Sequence, residues 1–196
     1  MIRSIVFDWG GVLIEDPSLK IFEYCATVLQ VPLEKFLPIY EKYSQDFQRG
    51  TISEQLLWEA LCSELKITQP TLPSLWGTAF RHAYIEKKET FLLASTLKKN
   101  GYRIGLLSNT EVPAMRFFHT QRYAMFDVTV FSCAEGTRKP EEQIYQILLQ
   151  RLQVQPEEVI FIDDKEEYIH GAERARINTV LYKNHRQLRK ALSSFL

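Results

Sequence analysis

The chain has 196 residues, of which 45% are hydrophobic and 24% are charged, so it is long enough for one domain with a small appended module. Basic and acidic residues number 24 each, and a formal net charge of zero provides no global field to attract nucleic acid or anionic lipid. No apolar run reaches the roughly 18 residues that a membrane-spanning helix needs. We therefore expect a globular protein with neither nucleic acid nor a membrane as its partner.

The cysteines and the N-terminal residues indicate a reducing compartment. Cys25, Cys62 and Cys133 are odd in number, widely spaced and without a CxxC pair, which argues against a disulfide framework or a zinc knuckle. The N-terminal apolar run meets Asp8 where an export signal would have a small-residue cleavage site. We predict a cytoplasmic protein.

Five short apolar runs, rich in β-branched or aromatic residues, predict strands at residues 2–7, 103–107, 128–131, 159–162 and 179–182. Several runs lack polar alternation, as expected where both faces of a strand are buried. From about residue 86 these runs alternate with helical patterns, such as the one that follows Pro140 and contains Tyr145, Leu148, Leu149 and Leu152. The alternation predicts an α/β fold: a doubly wound parallel sheet with helices on both faces.

The segment between the first two predicted strands differs from the rest of the chain. Residues 15–87 contain helical spacings and four punctuating prolines, but no convincing strand. We predict an all-helical cap domain over residues 15–87, with four helices in the simplest account. It is inserted into an α/β core domain made of residues 1–14 and 88–196, and it covers one edge of that core as a lid.

Three of the predicted strands end in polar residues. The first is followed by Asp8-Trp9-Gly10-Gly11, the second by Ser108-Asn109-Thr110 and the fourth by Asp163-Asp164. The ligand crevice of an open α/β sheet lies at the carboxyl ends of its strands, so we expect these residues to converge there. Arg138-Lys139-Pro140 adds a cation just before a helix.

This set of residues suits phosphoryl transfer. Carboxylates are ligands for Mg²⁺, which is usually held by only one or two of them together with a substrate phosphate. The ion also screens the repulsion between an anionic nucleophile and an anionic phosphate. Lys139 and the Ser108 hydroxyl would bind the remaining phosphate oxygens. Gly10 and Gly11 allow the main chain, with its N–H groups, to approach the ligand closely.

Four motifs occur in a characteristic order: Phe7-Asp8-Trp9-Gly10-Gly11-Val12-Leu13, Leu106-Leu107-Ser108-Asn109-Thr110, Arg138-Lys139-Pro140-Glu141 and Ile160-Phe161-Ile162-Asp163-Asp164. With them, the sequence resembles the haloacid dehalogenase-like hydrolases over essentially the whole chain, since the insert coincides with that family's helical cap of the first type. Within the family it looks most like the bacterial sugar-phosphate phosphatases that act on α-D-glucose 1-phosphate. These share the glycine two places after the nucleophile, the Ser-Asn-Thr and the Arg-Lys-Pro.

The resemblance implies a role for each motif. Asp8 would attack phosphorus and ligate Mg²⁺, and the main-chain carbonyl of Gly10 would be a further ligand. Asp164 aligns with the main remaining metal ligand, and Asp163 with a neighbouring ligand or a partner of one. Lys139 would be catalytic beside Asp8. The residues implied or expected to bind phosphate are Gly10, Gly11, Ser108, Asn109 and Lys139.

Two positions depart from the family's pattern. Gly10 stands where most phosphatases of the family have an acid/base aspartate, a kind of group that contributes about 10²–10⁴ in rate. We hypothesise that turnover is slow, or that a sugar hydroxyl, water or cap residue replaces this function. Tyr168 stands where many relatives have Asp or Asn, and Glu166 and Glu167 are candidates to replace that group.

The expected activity is that of a magnesium-dependent phosphatase acting on a small phosphorylated metabolite, in a monomer or a homodimer. A 2-haloacid dehalogenase is the nearest alternative, but such relatives do not need magnesium and the Asp163-Asp164 pair speaks against it. A phospholigand-binding scaffold with slow or no turnover is a third reading, because the acid at Gly10 is missing. Residues 183–190 are basic and predict a solvated helix face, and Gln48-Arg49-Gly50 is a candidate substrate-contacting loop.

Overall fold

The computed structural model describes residues 1–196, which form one five-stranded sheet and ten α-helices. The strands are β1 (Ser4–Phe7), β2 (Arg103–Ser108), β3 (Val128–Phe131), β4 (Val159–Asp163) and β5 (Asn178–Leu181). The helices are α1 (Ser18–Val28), α2 (Leu33–Arg49), α3 (Glu54–Leu65), α4 (Leu75–Ala83), α5 (Lys88–Lys99), α6 (Val112–Thr120), α7 (Ser132–Glu135), α8 (Glu142–Leu152), α9 (Glu166–Arg174) and α10 (His185–Leu192). A 3₁₀ turn at Pro156–Glu158 precedes β4.

All strand pairs of the sheet are parallel, in the order β3-β2-β1-β4-β5. The chain therefore winds outward from β1 through β2 to β3, then returns to the other side of β1 with β4. Phe7, the last residue of β1, lies between Leu106 of β2 and Ile162 of β4. The segments that leave β1, β2 and β4 consequently begin side by side, at the point where a doubly wound sheet opens a crevice.

Helices cover both faces of the sheet, which confirms the predicted doubly wound fold. Successive side chains of β1 point to opposite faces: Ile5 and Phe7 join the hydrophobic core that includes α5, α6 and α10, whereas Val6 joins the core beneath α8 and α9. All four residues of β1 are buried. Burial on both faces explains why the strands lack polar alternation in the sequence.

The element ends differ from the predicted ones by one or two residues. β1 begins at Ser4, and the functional side chains of Ser108 and Asp163 are the last residues of β2 and β4. The helical pattern that follows Pro140 is α8, which begins at Glu142; the preceding Glu141 is extended, with a ψ of 136°. The first turn of α8 therefore begins after the motif that contains Lys139.

Four helices, α1 to α4, lie between β1 and α5, inside the predicted cap limits of 15 and 87. The Ser53 and Ser74 hydroxyls cap α3 and α4 by accepting main-chain N–H bonds, as Ser at this position commonly does. The helices pack around Trp76, whose ring contacts the rings of Phe22, Tyr40, Phe47 and Trp58. An antiparallel bridge between Ile14 and Glu86 joins the two connections to the cap.

The basic run of residues 183–190 leads into and includes part of α10. In α10, Leu188 and Leu192 are buried while Arg186, Arg189 and Lys190 are exposed, so the basic run is a solvated helix face. None of the ten helices combines the length and the apolarity that crossing a bilayer would require.

Candidate active site

Lys139 lies at the centre of the site, where it joins residues from two strands. Its Nζ is 2.8 Å from Oδ1 of Asp8, 2.6 Å from Oδ2 of Asp163 and 3.1 Å from the Leu107 carbonyl oxygen. Lys139 and Asp163 are fully buried and Asp8 is 6% exposed. The structure therefore shows the predicted convergence of Asp8, Lys139 and the acid pair Asp163-Asp164.

Asn109 holds Lys139 in place through its main chain. The Asn109 side-chain amide donates to the Lys139 carbonyl oxygen at 3.0 Å and accepts from the Lys139 N–H at 2.8 Å. On its other side, the Lys139 ammonium lies over the ring of Tyr168, 4.8 Å from the centroid. The amide of Asn109 is thus engaged with the loop that carries Lys139, and Tyr168 covers the ammonium with an aromatic face.

Burial and neighbouring charges shift the pKa values of Asp8 and Lys139. Burial raises the pKa of Asp8 to about 7, against the lowering effect of Lys139, and the neighbouring charges of Asp163 and Asp164 add to the rise. Burial alone would lower the pKa of Lys139, but the two carboxylates outweigh it and hold that pKa above its ordinary value. Lys139 is therefore a cation among the acids, and the charge of Lys165 also acts to lower the pKa of Asp164.

Three carboxyl groups form a candidate metal centre. Asp8, Asp163 and Asp164 each offer an oxygen, and these atoms all lie within 4.8 Å of one another. Oδ1 of Asp164 is buried without a hydrogen-bond partner, an arrangement that is costly unless a cation lies nearby. A set of hard oxygen donors is what Mg²⁺ prefers, so the residues present fit this ion.

Gly11 makes room for Asp164. Its φ is +86°, and a Cβ built on it would lie 2.3 Å from Oδ2 of Asp164. Only glycine combines this conformation with so close an approach. Gly11 packs against the acid cluster, whereas Gly10 is part of the lining of the neighbouring cavity.

The cavity lies between the carboxyl edge of the sheet and the cap, with a volume of about 340 Å³. On the core side its lining includes five of the residues predicted to act there, Asp8, Gly10, Ser108, Asn109 and Lys139. The Ser108 hydroxyl is 3.1 Å from that of Thr110 and is 3% exposed. The predicted nucleophile, serine hydroxyl and lysine thus line one pocket.

Aromatic residues form much of the cavity's remaining wall. Trp9 is both a wall and a packing residue, because it lines the cavity while its ring contacts Phe80, Phe118 and Phe131. Of the cap aromatics, Phe22, Tyr40, Trp76 and Phe80 line the cavity. Phe47 and Trp58 are buried outside the lining and serve the packing of the cap.

The Gln48-Arg49-Gly50 segment joins the cap to the core. Gln48 lines the cavity, its Oε1 accepts from Nε of Arg138 at 3.1 Å, and its main-chain carbonyl accepts from the Ser132 hydroxyl at 2.6 Å. Arg49 is instead paired with Glu141 of the core. The predicted loop is wrong for two of its residues, because Gln48 and Arg49 are the last residues of α2 and Gly50 is its C-cap. Gln48 is placed to contact a ligand, while Arg49 fastens the cap.

Three acidic residues near the site differ from what the sequence indicated. Glu166 and Glu167 are exposed on α9 and are not members of the acid cluster, so neither replaces the group missing at Tyr168. The Tyr168 ring occupies that position itself. Glu111 was not singled out from the sequence, yet it is buried and lines the cavity; the one available signal was an acid directly after Ser108-Asn109-Thr110.

A parallel sheet, a helical insert and an acid cluster around a buried lysine define a hydrolase with a Rossmann-like core and a covering cap. The model of the haloacid dehalogenase-like hydrolase family matches residues 2–176, and the chain belongs to that family. The family membership predicted from the four motifs is thereby confirmed.

The chain is similar to proteins of different size. It is 28% identical over 188 residues to the mouse acyl-CoA dehydrogenase family member 10, matching 91% of this chain but only 18% of that protein. It is 24% identical to the D-ribitol-5-phosphate phosphatase of Bacteroides thetaiotaomicron, across 100% of this chain and 99% of the relative.

Among solved structures, an enzyme of the same family from Bacteroides thetaiotaomicron, crystallised with magnesium and inorganic phosphate, superposes with a TM-score of 0.77. It shares 21% identity with this chain, and the match covers 93% of this chain and 95% of the other. This similarity supports the fold.

Proposed function

We propose that the protein is a magnesium-dependent phosphatase that hydrolyses a small phosphorylated metabolite, of the sugar-phosphate class, through an aspartyl phosphate on Asp8. The observation that carries the proposal is the acid cluster itself. Asp8 lies beside a buried lysine and two further acids, one of which has a buried oxygen without a partner. The family membership and the full-length similarity to a sugar-alcohol phosphatase support the same conclusion.

Each residue has a part in this reaction. A carboxylate oxygen of Asp8 forms a bond to phosphorus as the bond from phosphorus to the ester oxygen breaks, and water later cleaves the aspartyl phosphate to regenerate Asp8. Asp8, Asp164 and the Gly10 carbonyl, with Asp163 adjacent, would hold Mg²⁺, which when bound tempers the negative charge that meets in the site. Ser108 and Lys139 bind phosphate oxygens, and Asn109 keeps Lys139 in position.

The missing acid at Gly10 limits the rate in this scheme. No carboxyl group at that position protonates the leaving oxygen or deprotonates the attacking water, so these protons exchange with water or with a hydroxyl group of the substrate. We propose that turnover is slow for unactivated esters. The cap, through Gln48 and its aromatic residues, closes the cavity and excludes bulk water.

The test is phosphate release from a panel of sugar and polyol phosphates. We expect turnover by the wild-type protein with Mg²⁺, loss of turnover in EDTA and recovery when Mg²⁺ is restored. Asp8→Asn should be inactive, whereas the matched exposed variant Asp46→Asn should retain full activity. Turnover that is insensitive to EDTA, or that survives in Asp8→Asn, would contradict the proposal.

The covalent step has its own test. Rapid acid quenching of the wild-type protein with a ³²P-labelled substrate should give labelled protein, and peptide mapping should place the label on Asp8. Chloride release from a 2-haloacid, measured in parallel, would instead support a dehalogenase.

A further inference from the structure

One buried carboxyl group in the cavity has no part in the reaction described above. Glu111 follows Thr110 directly and precedes α6 as its N-cap residue. It is 7% exposed and lies in the lining of the same cavity as Asp8 and Ser108. A buried acid in a binding cavity is costly unless its oxygens are partnered, so its surroundings indicate what it is there to contact.

A polar group of the cap holds the Glu111 carboxyl group. The indole N–H of Trp76 donates to its Oε2 at 3.1 Å. Gln48, also from the cap, accepts from Nε of Arg138 at 3.1 Å. Arg138 of the core, Gln48 of the cap and Glu111 line the same cavity.

The charge of Glu111 argues against a place in the phosphate subsite. A carboxylate repels phosphate, and the proposed phosphate-binding groups are Ser108 and Lys139. Glu111 and Trp76 therefore face the alcohol half of a bound phosphomonoester. Tyr40 lies near them, because its ring stacks on that of Trp76 with the centroids 5.1 Å apart. A carboxyl, an amide and a phenol group beside aromatic rings suit a ligand that has hydroxyl groups on a carbon chain.

Resting on the proposed function, we propose that Glu111 is a specificity-determining residue that accepts a hydrogen bond from a hydroxyl group of the substrate's polyol or sugar moiety. The indole N–H of Trp76 holds its carboxyl group at that place. A substrate without the hydroxyl group leaves this buried acceptor desolvated and unpaired, which is how polar sites reject less polar analogues. The cavity thereby selects hydroxylated phosphomonoesters over plain alkyl phosphates.

The test compares two probes of the same carbon length, D-ribitol 5-phosphate and n-pentyl phosphate. In the wild-type protein with Mg²⁺, we expect kcat/KM to be higher for ribitol 5-phosphate. Glu111→Ala should lower that value by about 10- to 100-fold and change the value for pentyl phosphate by less than about 3-fold. Glu111→Gln, which keeps an acceptor oxygen, should give an intermediate loss. Glu41→Gln, at an exposed site on α2, is the matched control.

A binding measurement separates this proposal from the proposed function. Calorimetric titration of the Asp8→Asn variant, with Mg²⁺ present, measures the binding of each probe without turnover. Adding Glu111→Ala should weaken the binding of ribitol 5-phosphate about 10- to 100-fold and leave the binding of pentyl phosphate unchanged. If the wild-type protein hydrolyses neither probe while this binding difference persists, the proposed function fails and the role of Glu111 stands.

Two results would overturn the role of Glu111. One is an equal loss for both probes in Glu111→Ala and Glu111→Gln, with folding confirmed by circular dichroism, because a merely structural residue gives that pattern. The other is an unchanged preference for ribitol 5-phosphate in Glu111→Ala.

Discussion

Replacing Gly11 by alanine tests whether the close approach of this residue to Asp164 builds the metal centre. An alanine at φ +86° costs about 1–2 kcal/mol in backbone conformation. Its Cβ, 2.3 Å from Oδ2 of Asp164, forces that carboxyl group to move, and such overpacking adds about 1–3 kcal/mol. We expect a total loss of about 2–5 kcal/mol in the free energy of unfolding.

Gly10→Ala is the matched control. Gly10 is not among the residues with positive φ, and a Cβ on it would lie 3.4 Å from Cδ of Pro17, an ordinary contact. The control should lose less than about 1 kcal/mol, because no strain and no displaced ligand accompany it. Both variants keep the main-chain carbonyl groups, so a difference between them reports on Asp164.

Two assays measure the effect. For a chain of this size, 1 kcal/mol corresponds to about 2–4 °C in Tm, so Gly11→Ala should melt roughly 5–15 °C below the wild-type protein. In calorimetric titration its Kd for Mg²⁺ should rise by about 10- to 100-fold, the range seen when groups that orient a ligand are disturbed. Equal Tm and equal Mg²⁺ affinity in Gly11→Ala and Gly10→Ala would refute the reasoning.

Three further changes have defined outcomes. In EDTA, Lys139→Met should cost about 3–5 kcal/mol by chemical denaturation, because it leaves buried acids without their cation; a loss below about 1 kcal/mol would contradict the central place of Lys139. Gly10→Asp should raise kcat by about 10-fold or more by restoring an acid/base group, and no gain with folding and Mg²⁺ binding intact would count against that explanation of slow turnover. Burial alone would raise the pKa of Asp127, but Lys98 and a main-chain N–H outweigh burial and lower it. The Asp127 carboxylate therefore stabilises the fold above the ordinary pKa of 3.8, and this stabilisation is lost as the pH falls through the lowered pKa. Asp127→Asn should therefore lower Tm at pH 7 and have little effect in strong acid, and a pH-independent change would be the wrong outcome.

The sequence alone was enough to predict the sheet, the helical insert and the side chains that converge at the carboxyl edge of the sheet. Unbroken apolar runs predict strands buried on both faces, and helices on both sides of β1 provide that burial. Parallel strands bring their carboxyl ends to one edge, so Asp8, Ser108 and Asp163 had to meet once the order of elements was known. These predictions depend on short-range patterns and on one general property of the fold.

Tertiary structure alone decided how the site is completed. The Tyr168 ring lies over the Lys139 ammonium in place of a polar group, and the Asn109 amide holds Lys139. Both contacts depend on the approach of segments about 30 residues apart. Glu111 becomes a cavity residue only because α4 brings the Trp76 indole against it, 35 positions away. No periodicity encodes such contacts, because they follow from how the cap docks on the core, and the angle of docking is set by side-chain packing across the whole interface.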